Sequence, residues 1–386
     1  MLAGVNVALG VTGSIAAVKC VEMIHELQRH GATVRAITTP AVESILNPWA
    51  LEFATEKPVV TEITGAIEHV ELCGNDGWAD VFLIAPATAN TIGKMASTVD
   101  DTPVTTCATT AIGADLPIVI GPAMHEPMWN HPGVIESMET LEAWGISFIP
   151  PRVEEEKAKI AGNDAIVTAT ATAVSDQSLD GIDVVITAGA TEEEIDPIRT
   201  ITNRASGKTG RAIARACSIR GATVTLIENG PDRSYASVKQ VATGEEMQQE
   251  ALDACEKANI FVSTAAISDF TVETATEKLD SKTEHTITLT PAPKVLDTVK
   301  EAYPELHCIG FKAEHAAEDA DLIDAARDQL ERIDAPFVVA NDASVMGDDE
   351  SRIIIVEASA ETPLTGDKTE LAEHIVDKIV EIVNDA

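Results

Sequence analysis

Basic residues are scarce in this chain. Only 27 Lys and Arg stand against 63 Asp and Glu, a formal charge of −36. Such a surface repels phosphate backbones and argues against nucleic acid as a partner. A phosphorylated small substrate in a local basic pocket is still compatible with it. Acidity on this scale points to a salt-rich cytoplasm, where screening relieves self-repulsion; an acidic protein of an ordinary cell is the alternative. Aromatic residues are few as well, 3% against 45% hydrophobic, so the cores must be built from Val, Ile, Ala and Leu. The 386 residues supply material for two of them. No Cys-x-x-Cys pair occurs. Cys20, Cys73, Cys107, Cys217, Cys255 and Cys308 are scattered, mostly in apolar runs, as buried reduced thiols of an intracellular protein would be. No stretch could span a bilayer. Met1 to Val18 carries no charge but lacks a basic leader and is broken by Gly10, Thr12, Gly13 and Ser14, so it reads as strand, loop and helix start rather than signal or anchor. A complete G-x-G-x-x-G with a ribose-binding acid is also missing, which disfavours a nicotinamide dehydrogenase.

The most informative stretch is Thr187 to Gly210, TAGATEEEIDPIRTITNRASGKTG. It follows Ile182 to Ile186, a short β-branched run that suits a buried parallel strand. A long polar loop then leads to a helix period over Ala212, Ile213, Ala216 and Ile219, stopped by Gly221. Strand, donor-rich loop and helix N-terminus together make an anion site.

A second unit of the same kind precedes it. Val5 to Leu9 reads as a strand, Gly10 to Ala16 as a tight turn, and about Ile15 to His30 as a helix. Gly31-Ala-Thr-Val34 is echoed by Gly221-Ala-Thr-Val224, each after a helix and opening a strand. The fold class is therefore α/β, with two doubly wound Rossmann-like domains at 1–172 and 180–386, and Ala169 to Asp180 as linker. Asp80 to Ala85 and Leu116 to Ile120 read as further strands. They aim the loops 86–90 and 121–129 at the crevice of 10–16, because ligands of open parallel sheets bind beyond the strands' carboxyl ends. Residues 151–163 are polar and suit a mobile flap.

These residues carry a resemblance. Gly10 to Ala16, His69, Pro86-Ala-Thr-Ala-Asn90 and Pro122-Ala-Met-His125 to Met128-Trp129 resemble the flavin-containing half of the bifunctional phosphopantothenoylcysteine decarboxylase/phosphopantothenate–cysteine ligase family of coenzyme A synthesis. Thr187 to Pro197, Asn203 to Gly207, Ala265 to Asp269, Lys278, Gly310-Phe311 and Ala340-Asn341-Asp342 resemble its ligase half. The resemblance implies a flavodoxin-like amino half and a nucleotide-binding carboxy half. In the ligase it implies that phosphopantothenate attacks a nucleotide, CTP or alternatively ATP, with Mg²⁺, to give an acyl-nucleotide that the cysteine amine then opens. Such chemistry needs charge neutralisation and positioning more than a strong base. In the decarboxylase it implies that FMN oxidises the cysteine end so that CO₂ can leave.

Site residues follow from the same resemblance. Gly13, Ser14, Thr39, Ala87, Thr88, Asn90 and Thr105 are expected at the flavin, with Asn90, Met124 and His125 at the substrate and His69 as the base. Asn203 is expected at the acyl intermediate, Arg199 and Lys278 as cationic helpers, and Gly189, Ala265, Asp269, Lys278 and Phe311 at the nucleotide; the metal ligands are not legible. The flap cysteine usual in the family is absent, and Lys159 is the candidate proton donor in its place, with Lys157, a water or His125 as alternatives. His125 stands where the family has Asn, the segment after Lys278 reads Leu-Asp-Ser-Lys282, and the lysines usual before the last parallel strand are missing from Arg327 to Arg332. The resemblance further implies a cytoplasmic homo-oligomer, trimeric through the flavin half and dimeric through the ligase half, with small-molecule partners and no membrane. Two other readings compete. One is a different flavin-dependent cysteine decarboxylase or flavin prenyltransferase fused to a nucleotide-binding domain, which the 187–210 loop opposes. The other is an active ligase with a non-catalytic flavin-binding half, which the missing flap cysteine favours and His69 opposes.

Overall fold

A computed structural model describes residues 1–154, 157–292, 294–314, 318–342 and 350–385. Its contacts divide the chain into Met1–Asp176 and Gln177–Ala386. Both are doubly wound α/β units, as the alternation of apolar runs and amphipathic segments indicates.

The first unit has five parallel strands, in the spatial order Thr33–Thr38, Asn6–Val11, Val81–Ala87, Ile118–Pro122 and Ser147–Phe148. This is the flavodoxin-like order, whose reversal lies between the Asn6–Val11 and Val81–Ala87 strands. Val81–Ala87 is buried at every position, so it reads as an unbroken apolar run rather than an alternating one. The helix expected from Ile15 begins as a 3₁₀ turn, Ile15–Lys19, and becomes α-helical over Cys20–Arg29.

The second unit places its parallel strands in the order Ser237–Gln240, Thr223–Glu228, Asp183–Thr187, Ile260–Ser263, His307–Glu314 and Val338–Asp342. That is the dinucleotide-fold order, with its reversal between Asp183–Thr187 and Ile260–Ser263. Two antiparallel strands, Glu350–Val356 and Glu361–Asp367, extend the sheet, and the helix Lys368–Asp385 packs its Leu371, Ile375 and Ile379 on the core. Aliphatic residues dominate both cores; Phe82, Phe261 and Phe337 are the largest buried side chains.

Three expectations are corrected. The stretch 187–210 is not loop throughout: Glu192–Asp196 and Arg199–Thr202 form an antiparallel hairpin. Its charged strand hides the pattern, because the buried positions belong to Glu193 and Asp196 rather than to apolar residues. The linker is shorter than Ala169 to Asp180. The helix Asn163–Ala173 runs through its first part, with Ile166, Val167 and Ala171 buried, and Leu179 is fully buried at its end. Thr168 and Thr170 donate to the carbonyls of Asp164 and Ile166 at 2.8 Å each, which satisfies hydroxyls that otherwise make the segment look irregular. The region 151–163 also contains strand: Arg152–Glu154 pairs with Lys157–Lys159, which pairs with Met124–His125.

Candidate functional site

The reversal point of the first unit opens into a cavity of about 680 Å³. Gly13, Ser14, Thr88, Met124, His125 and Lys159, all singled out from sequence, line it together. Ile15, Val18, Met128 and Ile160 supply an apolar wall. Ser14 caps the 3₁₀ turn, accepting from Ala16 N at 3.4 Å and donating to Ala123 O at 3.3 Å. Thr88 caps the next helix, Ala89–Ala96, through Thr91 N at 3.3 Å. Thr12 ties the two loops together: its hydroxyl donates to Pro86 O at 2.7 Å and accepts from Thr88 N at 3.0 Å. Strand ends thus present two capped helix starts to one space.

Thr39, Ala87, Asn90, Thr105 and His69 do not line this cavity. Ala87 is fully buried in its strand and Asn90 is exposed on the first turn of its helix. Thr105 is buried, and its hydroxyl completes a capping box with Thr102. Thr39 is 6% exposed at a strand's carboxyl end, and its hydroxyl has no partner; the Nδ1 of half-buried His69 is likewise buried without one. Unsatisfied buried polar atoms are costly unless a ligand completes them. An apolar wall and two capped helix starts fit a flat, partly apolar cofactor bearing a phosphate; the unpartnered Thr39 and His69 atoms lie outside that lining.

All six cysteines are buried, and burial pushes Cys20 up to about 12. Cys107 is raised further by its hydrogen bond to Cys73 and by burial. A thiol held protonated is neither nucleophile nor ready acid at neutral pH.

In the second unit Gly189, Ala265 and Phe311 line two small cavities, of about 130 and 80 Å³, beside the reversal point. Both cavities also reach Thr209, Asn341, Ser351 and Lys368, and the smaller reaches Lys208. Gly207 precedes the helix Lys208–Ile219 with φ +72; a Cβ there would lie 2.7 Å from Arg211 Nη1 and 3.0 Å from Gly189 N. Only glycine fits that conformation and that approach. Arg211 is in turn held by Glu228, 1% exposed, at 2.7 Å. Asn203, Arg199, Asp269 and Lys278 lie outside these cavities. Asn203 is exposed and donates to Ala266 O at 2.9 Å, which holds it at the crossover between the two central loops. Asp269 and Lys278 are exposed. Arg199 pairs with Asp196 at 2.6 Å. Burial opposes ionisation of Asp196, but the backbone N–H groups of Ile198, Leu279 and Arg199 and the Arg199 charge outweigh it, so its carboxyl lies below the ordinary aspartate value.

The family model for Flavoprotein matches residues 1–175, and that for the DNA/pantothenate metabolism flavoprotein C-terminal domain matches residues 179–383. The chain is 46% identical to the coenzyme A biosynthesis bifunctional protein CoaBC of Thermococcus kodakarensis, over 98% of this chain and 95% of that one. This chain belongs to the CoaBC family. Another member, from Methanocaldococcus jannaschii, is 36% identical over 99% of this chain and 95% of its own. The solved C-terminal domain of a CoaBC protein is 27% identical and covers 55% of this chain and 100% of that one, with a TM-score of 0.46. As in those bifunctional relatives, the flavoprotein and ligase-type halves share one polypeptide.

Sequence reasoning passed over Lys208, Lys368 and Asp196. Lys208 had a signal, since it directly follows the loop glycine. Lys368 had none: it lies 160 residues further on (368 − 208), at the start of the final helix. Asp196 was quoted within its motif without a role.

Proposed function

We propose that this chain performs two consecutive steps of coenzyme A biosynthesis. Residues 180–386 join 4'-phosphopantothenate to cysteine at the expense of a nucleoside triphosphate, CTP in our reading. Residues 1–172 decarboxylate the product, 4'-phosphopantothenoylcysteine, to 4'-phosphopantetheine with FMN. The observation that carries the reading is the full-length likeness to CoaBC proteins, with site-type residues at the reversal point of each half.

In the ligase half, the substrate carboxylate attacks the α-phosphorus and pyrophosphate leaves. The cysteine amine then adds to the acyl carbon, expelling the nucleoside monophosphate and losing a proton. The chain's contribution is charge and placement. The start of the helix Lys208–Ile219, with Lys208 and Lys368, offsets phosphate charge. Asn203 donates to the acyl oxygen, and Asp269, Ala265, Gly189 and Phe311 hold the nucleotide, with Lys278 and Arg199 beside them. Among the described residues no three His, Cys, Asp or Glu side chains cluster for a metal. In our reading Mg²⁺ accompanies the triphosphate, with few direct protein ligands.

In the amino half, Gly13, Ser14 and Thr88, which line the cavity, are the groups we assign to FMN; Thr39, Ala87, Asn90 and Thr105, outside that lining, are assigned to it from the family resemblance. Bound FMN supplies the hydride acceptor and donor that the loss of CO₂ requires. His69 takes a proton from the cysteine end of the substrate, Asn90, Met124 and His125 orient its carboxylate, and Lys159 returns a proton to carbon. Exposed Trp49 and Phe53, 78% and 80%, support assembly of this half with further copies, in our reading as trimers. Ile198, Phe270 and Leu289, 67%, 48% and 50% exposed, support dimers of the other. No helix among the described residues is long and apolar enough to cross a membrane.

The test is direct. Purified protein receives phosphopantothenate, cysteine, Mg²⁺ and either CTP or ATP, and products are followed by mass. Pantetheine phosphate together with nucleoside monophosphate supports the reading. Ligation product that accumulates while protein-bound flavin is present favours the version with an inactive amino half.

A further inference from the structure

We propose that Asp196 is a positioning residue of the ligation site: its buried carboxylate fixes the peptide next to Lys278, with Arg199 as the strut between them. This deepens the ligase reading and rests on it.

The inference starts from the hairpin's irregular strand. Successive strand residues face opposite sides, so positions 193 and 196 should point apart. A register shift between Glu194 and Asp196 adds one residue, as in a β-bulge, and turns both carboxylates to the buried face. Glu193 is 6% exposed and Asp196 1%. Burying a carboxylate is unfavourable unless donors surround it.

The donors of Asp196 divide by oxygen. Oδ1 accepts from Ile198 N at 2.8 Å and Arg199 N at 2.9 Å, closing the hairpin turn. Oδ2 accepts from Arg199 Nη1 at 2.6 Å and from Leu279 N at 3.1 Å, 83 residues along the chain. Arg199 then donates from Nη1 and Nη2 to Leu279 O at 3.4 and 3.5 Å. One ion pair therefore grips residue 279 by both its N–H and its carbonyl.

The same strand fastens the segment leading there. Thr271 donates to Glu193 Oε2 at 3.0 Å, Thr274 to Glu194 O at 2.9 Å, and Ala275 N to Ile195 O at 2.9 Å. Asp196 is the last fastening before residues 280–290, all exposed. Lys278 precedes the gripped peptide, so its amino group swings from a fixed base. Directional hydrogen bonds from a planar guanidinium set orientation, which an apolar contact would leave loose.

The test uses the full-length protein and two variants. Asp196→Asn keeps the side chain's size but removes the charge; Arg199→Gln acts at a side chain 39% exposed, where folding is little disturbed. Hydrogen exchange without substrates should show the amide of Leu279 exchanging at least tenfold faster in both, with Asp183–Thr187 and Ile260–Ser263 unchanged. The nucleotide KM should rise at least tenfold while the cysteine KM moves less than threefold, and Arg199→Lys should recover part of the loss. Unchanged exchange at Leu279 in Arg199→Gln, or a uniform fall in kcat with both KM values kept, overturns the proposal. If wild type does not ligate at all, the ligase reading fails, while the exchange arm still decides the clamp.

Discussion

The two α/β units solve one problem in opposite ways. In Met1–Asp176 the reversal point stays open: about 680 Å³ of space and an apolar wall, with the unpartnered buried atoms of Thr39 and His69 elsewhere in the same unit. In Gln177–Ala386 the loops at the reversal point are laced together. Ala266 N donates to Gly189 O at 2.8 Å, Thr191 N to Ala266 O at 3.4 Å, and Ser268 N to the Thr191 hydroxyl at 2.9 Å. The cavities beside it hold only about 130 and 80 Å³. An open crevice suits a resident cofactor that fills it. A laced crevice suits substrates that come and go, with charged arms held ready at its rim. At the reversal points, then, one unit leaves space for a ligand and the other ties its loops to each other.

The strongest way to break this comparison is to disable one crevice at a time. His69→Asn should lower CO₂ release by about 10²–10⁴-fold, the usual worth of a general base, and leave ligation within twofold. Asn203→Ala should lower ligation by about 10²-fold or more, as removal of one oxyanion donor does, and leave decarboxylation of supplied phosphopantothenoylcysteine intact. Either variant losing both activities while folded would mean that the units do not work separately.

A smaller effect tests the flap of the open unit. Replacing Cys20, Cys73 and Cys107 together by Ser should keep flavin binding and pantetheine phosphate formation, since burial raises the Cys20 thiol to about 12, and the hydrogen bond to Cys73 together with burial raises Cys107. Lys159→Ala should slow the final reductive step by about 10²-fold, the low end for a proton donor. Stopped-flow flavin absorbance separates the steps, and stalling of the protein whose amino half lacks cysteine would return the role to a thiol.

Salt should act on both units, because the excess of 36 acidic charges belongs to the whole chain. Melting temperature should climb from low to molar KCl as repulsion is screened. Each kcal/mol relieved moves the midpoint by about 2–4 °C for units of this size. All four Trp (49, 78, 129 and 144) lie in the first unit, so tryptophan fluorescence follows that unit alone while circular dichroism follows both. A flat response would place the protein among ordinary acidic enzymes.

The finest comparison uses the echoed turns. Gly31 and Gly221 end matching helices with φ +94 and +96. A Cβ at Gly31 would lie 2.8 Å from the Ala3 backbone, whereas at Gly221 it meets the Gln177 side chain at 3.0 Å and the Asp180 backbone no nearer than 3.2 Å. Gly221→Ala should cost about 1–2 kcal/mol through backbone strain, and Gly31→Ala more, by urea unfolding. Equal costs would show that Ala3 gives way.

Periodic segments were legible because period and burial coincide in them. Val81–Ala87 and Ile260–Val262 are apolar runs in fully buried strands, and the helices after each glycine loop repeat their apolar face. The hairpin Glu192–Thr202 was missed because carboxylates occupy its buried positions, with partners distant in sequence, and the helix Asn163–Ala173 because Thr168 and Thr170 share its buried face with Ile166, Val167 and Ala171. In the first unit Gly13, Ser14, Thr88, Met124, His125 and Lys159 were readable from motifs and do meet in one cavity.

The order of apolar runs and glycine turns determined, by itself, two doubly wound units and the loops at their strand ends, because hydrophobic period and backbone freedom are local properties. Which groups finally share a space was decided only by the packed structure. Asp196 reaches Leu279, and Lys368 joins Lys208 beside one helix start, through sheet order and helix packing. Such meetings depend on contacts between distant parts of the chain, and the carboxylate of Asp196 tolerates burial only because all of its donors arrive together.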